Sequence, residues 1–324
     1  MLDAILGIDI AKETFHAVLL EHDAERSKSF PNNAKGFAQL HAWLRNRKVE
    51  RVHACLEATG AYGEALASEL CDRGHVVSIV NPARVKGFAQ SELVRNKTDA
   101  VDAGVIARFC KALAPEPWLP PAPEIRALQG LTRRLASLID ARRQELNRAG
   151  VPGIVPLVAD SISAHVVHLD EQIRALEEQI HDHIDQFPSL RQQRELLVSI
   201  PGIGEKTADR LLGELPNVEH FENAKQVSAF AGLAPQHRRS GSSLNGKPRL
   251  SKKGNAQLRK ALYFPAVVAL THNPIIRRFA DRLKAAGKTK MAIIGAIMRK
   301  LLHIAYGILK SGKPFDPNYD PTRA

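Results

Sequence analysis

Two hydrophobic periods divide this chain. Residues 4 to 20, "AILGIDIAKETFHAVLL", alternate apolar and polar positions around a break at Ala11-Lys12-Glu13. A period of two marks a half-buried strand, so this stretch predicts a β-hairpin with Asp9 at the end of its first strand. "RSKSF" (26–30) predicts a third strand and "AKGFAQLHAWLRNR" (34–47) an amphipathic helix. "RVHACLEAT" (51–59) is a further strand with Glu57 at its C-terminal end. "YGEALASELCDRG" follows as a helix, "HVVSIVNP" as a strand closed by Pro82, and another helix begins at Thr98. Strands and then alternating helix and strand to about residue 112 predict an α/β domain.

Beyond the proline-rich boundary "APEPWLPPAPE" (114–124) the period becomes helical. One helix is expected over 124–147. A second is expected from Ile162 to Ile184, where Ile162, Val166, Leu169, Ile173, Leu176, Ile180 and Ile184 recur at spacings of mostly 4 and 3, a coiled-coil seam. "AGVPGIVP" (149–156) turns the chain between them, giving a helical hairpin or a stalk that pairs with another subunit. A mostly helical domain fills about 190–312. The expected division is 1–115, a helical coiled-coil linker at 116–189, and 190–324.

Composition narrows the class. With 44% hydrophobic residues over 324 positions, the chain has material for real cores. The opening carries Asp3 and Asp9 inside its apolar run and no basic leader, and the late apolar stretch "MAIIGAIMRKLLHIAYGIL" is broken by Arg299 and Lys300. Neither a secretory signal nor a membrane span is therefore expected. Cys55, Cys71 and Cys110 are scattered and suit neither a disulfide framework nor a zinc site, so a reducing cytoplasm is expected. Net charge is +12 with pI near 9.8. From Asn223 through Ala280 there is no Asp or Glu, while Lys and Arg recur throughout. A stretch of one sign repels itself unless a polyanion neutralises it, and nucleic acid is the candidate.

Two features then carry chemistry. Asp9 and Glu57 close strands, and Asp99 and Asp102 open a helix just behind the basic run Arg95-Asn96-Lys97. The plain reading of the last two is a first turn capped by Thr98 and favoured by the helix dipole. Acids at three separate element ends of an α/β sheet also converge on one crevice. Four carboxylates there need cations, and a pair of Mg²⁺ ions would make a phosphoryl-transfer site. In the second half, "LLVSIPGIGEKTADRLLGEL" (196–215) reads as helix, Gly-rich turn and helix, a helix-hairpin-helix. Gly202 and Gly204 would let backbone N–H groups approach a phosphate, with Lys206 assisting; a simple αα-turn is the alternative. "HRRSGSSLNGKPRLSKKGN" (237–255) reads from composition as a mobile basic loop. Aromatics at 5% argue against a base-stacking platform. His16, His41 and His168 show no ligand spacing and read as structural.

"GIDIAK", "LEATGAYG", "NPARVKGFAQSELVRNKTDAVDA", "SIPGIGEKTADRLL", "FAGLAP", "RRSGSS" and "LSKKGNAQLRKALYFPA" together resemble the DEDD transposases of bacterial insertion sequences, from about residue 5 to 315. These are bridge-RNA-guided serine recombinases with a RuvC-like domain. The resemblance implies a ribonuclease H-like fold with Asp9, Glu57, Asp99 and Asp102 as a Mg²⁺-binding tetrad. It implies Ser240 as the nucleophile, with Ser242, Ser243 and Ser251 as rivals on spacing. Donor and target DNA, a structured non-coding guide RNA, and a dimer that pairs into a synaptic tetramer are the implied partners. Lys97, Arg238, Arg239, Lys247, Arg249, Lys252, Lys253, Arg259 and Lys260 are the expected phosphate contacts beside the glycine turn. The main competing class is a RuvC-type endonuclease with water as nucleophile; a non-catalytic architectural protein is a third.

Overall fold

The structure is a computed structural model describing residues 4–21, 24–58, 62–93, 98–215, 218–240 and 244–318, with the side chains of 237–240 and 244–247 outside that description. Lys97, Ser242 and Ser243 lie outside the described residues. The chain divides into two compact units, Met1–Pro120 and Pro121–Ala324.

In the first unit, β1 (Ala4–Ile10), β2 (Thr14–Glu21), β3 (Ala24–Pro31), β4 (Val52–Glu57) and β5 (Val76–Val80) form one sheet in the order β3-β2-β1-β4-β5. β1 is antiparallel to β2 and parallel to β4. The central strands read "AILGIDI" and "VHACLE" because both their faces are covered; β3 at the edge reads "AERSKSFP" and is exposed over its first six residues. Charged edge strands discourage pairing with other chains. One face packs Leu6, Ile8, Ala54 and Leu56 against α1 (Ala34–Arg45) and α2 (Glu64–Asp72). The other packs Val18, Cys55 and Val80 against α3 (Pro82–Ser91) and α4 (Asp99–Leu113).

The hairpin, the third strand and the helix at Thr98 stand where the pattern puts them. α3 is an addition that the apolar pattern does not announce, since only Val85 on it is buried. Its signal is local: Asn81 Oδ1 accepts from the Ala83 N–H at 2.9 Å and Pro82 occupies the first helical position.

In the second unit, α5 (Pro123–Ala149) and α6 (Pro156–Gln186) fold back on one another as a helical hairpin. The expected seam of α6 is the inward face: Leu169, Ile180 and Ile184 are buried, and Ile162, Val166, Ile173 and Leu176 half-buried. α6 starts six residues before Ile162, at Pro156. Leu157 there is 81% exposed, so no burial pattern marks the first turn; the proline does. α7 (Pro188–Val198), α8 (Glu205–Glu214), α9 (Ala224–Phe230), α10 (Ala256–Ala261), α11 (Tyr263–His272), α12 (Pro274–Ala285) and α13 (Lys290–Ser311) complete the unit. The basic stretch expected as a loop is instead a two-stranded antiparallel ladder, β6 (Pro235–Ser240) with β7 (Leu244–Leu250), irregular between Gln236 and Arg238. Among the described residues α13 is the one helix long and apolar enough to cross a membrane; 56% of its apolar window is buried, with Ile297, Leu301 and Leu302 fully enclosed in the core of this unit.

Candidate active site

Strand parity fixes what faces α4. On β1 and β4 the side chains of Leu6, Ile8, Ala54 and Leu56 point toward α1 and α2, so Gly7, Asp9, Cys55 and Glu57 face the other way. Ile8 pairs with Leu56 in the parallel register, which sets Asp9 and Glu57 side by side one step further along. Asp9 also pairs directly with His16 across the β1–β2 ladder.

α4 reaches this face because β1 carries glycine at position 7. A Cβ there would stand 2.2 Å from the Ala103 carbonyl oxygen and 2.3 Å from the Ala107 nitrogen. With glycine, and with Ala103 and Ala107 fully buried opposite it, helix backbone lies directly on strand backbone. Thr98 caps α4, its hydroxyl accepting from the Val101 N–H at 3.3 Å. The cap points the first turn, with Asp99 and Asp102, at the end of β1.

The consequence shows in Asp9. Burial first, and then the charges of Asp102 and Asp99, push its carboxyl above the usual range, against the opposing pull of His16 and of a hydrogen bond to the Ile10 backbone. His16 Nδ1 lies 3.6 Å from Asp99 Oδ2, between the two acids. It stands in the acidic cluster, and the signal that would have found it is the hairpin register: a break at 11–13 pairs position 9 with position 16. Capping and clustering are thus both true of Asp99 and Asp102.

The donor set is all carboxylate oxygen with mutual repulsion, which fits a hard divalent cation. Yet among the described residues no group of three or more His, Cys, Asp or Glu side chains is close enough to hold an ion. The acids share one face and feel one another without forming a preassembled cage.

In the second unit, the turn between α7 and α8 uses its two glycines differently. Gly202 has φ +105°, and a Cβ on it would sit 2.9 Å from that of Ala269 on α11. Gly204 caps α8 with no side-chain hydrogen bond, so no cap side chain takes the first N–H groups of the helix. The turn is braced by Arg194, buried, which pairs with Glu205 at 2.9 Å and Asp209 at 3.1 Å. Burial outweighs that arginine and pushes Asp209 up to about 6. Lys206 is paired with Glu177 of α6, Lys260 with Asp140 of α5 at 2.6 Å, and Arg259 donates to the Ala231 carbonyl at 3.0 Å. Part of the charge in the acid-free stretch is therefore met by acids from the helical hairpin. The backbone of β6 carries Arg238, Arg239 and Ser240, and β7 carries Lys247 and Arg249. Lys252 has φ +54°, just before the glycine corner at Gly254, and Lys253 is exposed.

The chain matches the pilin gene-inverting protein of Moraxella lacunata at 37% identity over 316 residues, covering 96% of this chain and 97% of that protein. A family model described as "Transposase IS116/IS110/IS902 family" matches residues 194–281, and a model of the DEDD type described as "Transposase" matches 6–150. The chain belongs to the IS110/IS116 family of transposases. The transposase for insertion sequence element IS1328 of Yersinia enterocolitica is 23% identical over 290 residues, 80% of this chain and 81% of that one. The transposase for element IS1111A of Coxiella burnetii is 26% identical over 305 residues, 83% and 78%. As a member of this family the chain is an enzyme that cleaves and rejoins DNA strands, and its DEDD domain implies a divalent metal ion. The two family models fall on the two halves that carry the carboxylates and the basic ladder.

Proposed function

We propose that the chain is the recombinase of an insertion sequence, cleaving and rejoining DNA through a covalent phosphoserine on Ser240, and that Asp9, Glu57, Asp99 and Asp102 hold Mg²⁺ in a ribonuclease H-like domain. The observation that supports the carboxylate half of this reading is the placement of Asp9 on the face that meets the first turn of α4, where burial and then the charges of Asp102 and Asp99 raise its carboxyl. Bound Mg²⁺ would supply electrostatic stabilisation of charge on the phosphoryl oxygens. Ser240 Oγ attacks phosphorus, one P–O ester bond of the DNA breaks, and the freed strand end leaves as a hydroxyl. The energy of the cut bond stays in the phosphoserine, and attack by another strand's hydroxyl restores the serine and closes the new joint. Arg238, Arg239 and Lys252 offset charge on the phosphoryl oxygens in transit.

The N-terminus of α8, with no capping side chain, and the glycine turn support helix-hairpin-helix contact with a phosphate backbone. Lys206 and Lys260 must exchange their present carboxylate partners for phosphate to join that surface. Segments 1–115, 116–189 and 190–324 serve as carboxylate domain, helical connector and nucleophile domain. The partners are donor and target DNA, a structured guide RNA and further copies of the chain as dimer and tetramer, in a bacterial cytoplasm. The competing reading is a metal-dependent endonuclease with water as nucleophile, favoured by the fact that the carboxylate cluster is built within the first unit alone. A nicked suicide substrate separates them. Wild type should give a DNA–protein adduct that Ser240→Ala abolishes along with strand exchange; cleavage by Ser240→Ala at the wild-type rate, with no adduct from either, would establish the endonuclease instead.

A further inference from the structure

α12 and α13 enclose a second basic site, largely outside the acid-free stretch. A cleft of about 520 Å³ lies between them and α11. Arg277 and Lys284 reach it from α12, Lys288 from the turn that follows, and Lys290 from the first residue of α13. Asp281 is the one acid in its lining and pairs with Lys284 at 3.5 Å. Lys288 and Lys290 make no ion pair or hydrogen bond from their side chains among the described residues. The floor is apolar, formed by Leu270 and Ile293 among others.

Two further facts bear on what such a cleft takes. α13 is 22 residues long and its cap, Thr289, makes no side-chain hydrogen bond, so no cap side chain takes the first N–H groups of α13 where Lys288 and Lys290 stand. Gly287 has φ +72°, which fixes the tight turn delivering Lys288. Four cations against one acid leave a strongly positive rim over an apolar floor. That combination suits a phosphodiester, with phosphate on the rim and the less polar sugar over the floor. It does not suit a free carboxylate metabolite, for which no buried polar group supplies orientation.

We infer that this cleft grips the backbone of duplex DNA at a place separate from the β6–β7 ladder, adding phosphate contacts that steady the substrate without reading its bases. The inference rests on the DNA-recombinase reading of the protein.

The test is fluorescence anisotropy of a labelled 30-base-pair duplex against the full-length protein over a salt series. Each phosphate contact contributes about 0.9 to the slope of log K against log salt. Lys288→Gln with Lys290→Gln should lower that slope by about 2 and weaken binding roughly 50-fold near 0.1 M salt. Lys35→Gln with Lys313→Gln removes the same charge elsewhere and should leave the slope unchanged. Both pairs lie on the exposed surface, so melting temperatures should match wild type. An unchanged slope in the cleft variant, an equal drop in the control, or a loss confined to a structured RNA probe would each overturn the inference. Failure is distinguishable from failure of the recombinase reading. The adduct assay on Ser240 reports the chemistry, whereas the salt slope reports the cleft.

Discussion

Gly7→Ala tests whether the carboxylates are positioned by direct contact of backbones. The new methyl would stand 2.2 Å from Ala103 O, 2.3 Å from Ala107 N and 2.6 Å from Ala107 Cβ. Carbon–oxygen contacts are ordinarily about 3.3 Å or longer, so α4 must withdraw from β1 by about 1 Å. None of the three can turn aside, because the first two belong to helix backbone and the third to a fully buried alanine. Overpacking of this kind costs about 1–3 kcal/mol. The melting temperature of the first unit should fall by roughly 4 °C for each kcal/mol.

Strand cleavage should suffer more than stability does. Asp99 and Asp102 ride on the first turn of α4, and a misplacement of about 1 Å at a reacting centre lowers rates by about 10²-fold. Thermal denaturation followed by circular dichroism, paired with a single-turnover cleavage assay, measures both. Gly87→Ala is the control: it lies on α3, its Cβ would meet nothing within 4 Å, and replacing a helical glycine should stabilise by about 0.5–1 kcal/mol. If Gly7→Ala melted within about 1 °C of wild type and cleaved normally, the account of how α4 is held would be refuted.

Asp9→Asn should raise the melting temperature while abolishing cleavage. The folded carboxyl is raised above its unfolded value, so its contribution to stability is complete below the unfolded pKa and lost as pH rises through the folded one. The variant should therefore gain over wild type at neutral pH and lose that gain in acid. A melting difference that did not depend on pH would contradict burial and like-charge repulsion as its cause. In the second unit, Glu214 is buried, accepts from Arg133 Nε at 2.7 Å and Nη2 at 3.1 Å, and from Asn255 Nδ2 at 2.8 Å. Glu214→Ala removes two of the arginine's hydrogen bonds and one from Asn255 and should cost about 2–3 kcal/mol in denaturant unfolding, whereas Arg133→Met with Glu214→Leu should recover part of it.

What the sequence made legible was what repeats or caps. The alternation at 4–20 placed a hairpin, the Thr98 cap placed α4, and the 4–3 spacing after Ile162 found the inward face of α6. α3 escaped because it buries a single residue and has no apolar face to display. The first turn of α6 escaped for the same reason. The β6–β7 ladder escaped because its sequence, "PQHRRS" against "LNGKPRL", carries no alternation; it is held as a strand pair by backbone. The electrostatics of the basic half misled in a different way. Counting charges along residues 223–280 leaves Lys260 unbalanced, and its partner Asp140 lies 120 residues away on α5. Charge neutralisation is a property of packed helices, and local sequence does not record it.

The same distinction bears on the tetrad. Strand parity and the glycine contact bring Asp9, Asp99 and Asp102 onto one face, close enough for their charges to raise Asp9. They do not draw the acids into a group that could hold an ion. Their carboxylates repel one another in a half-buried site, and the first turn of α4 and the strand end share solvent, with Asp99 66% exposed. On the proposed reading, a divalent ion would bind there and the DNA phosphate would supply its remaining ligands. It follows that cation affinity should be coupled to DNA binding: each phosphate oxygen that joins the cluster adds a ligand, and the duplex should bind more tightly in Mg²⁺ than in chelator by more than monovalent screening explains.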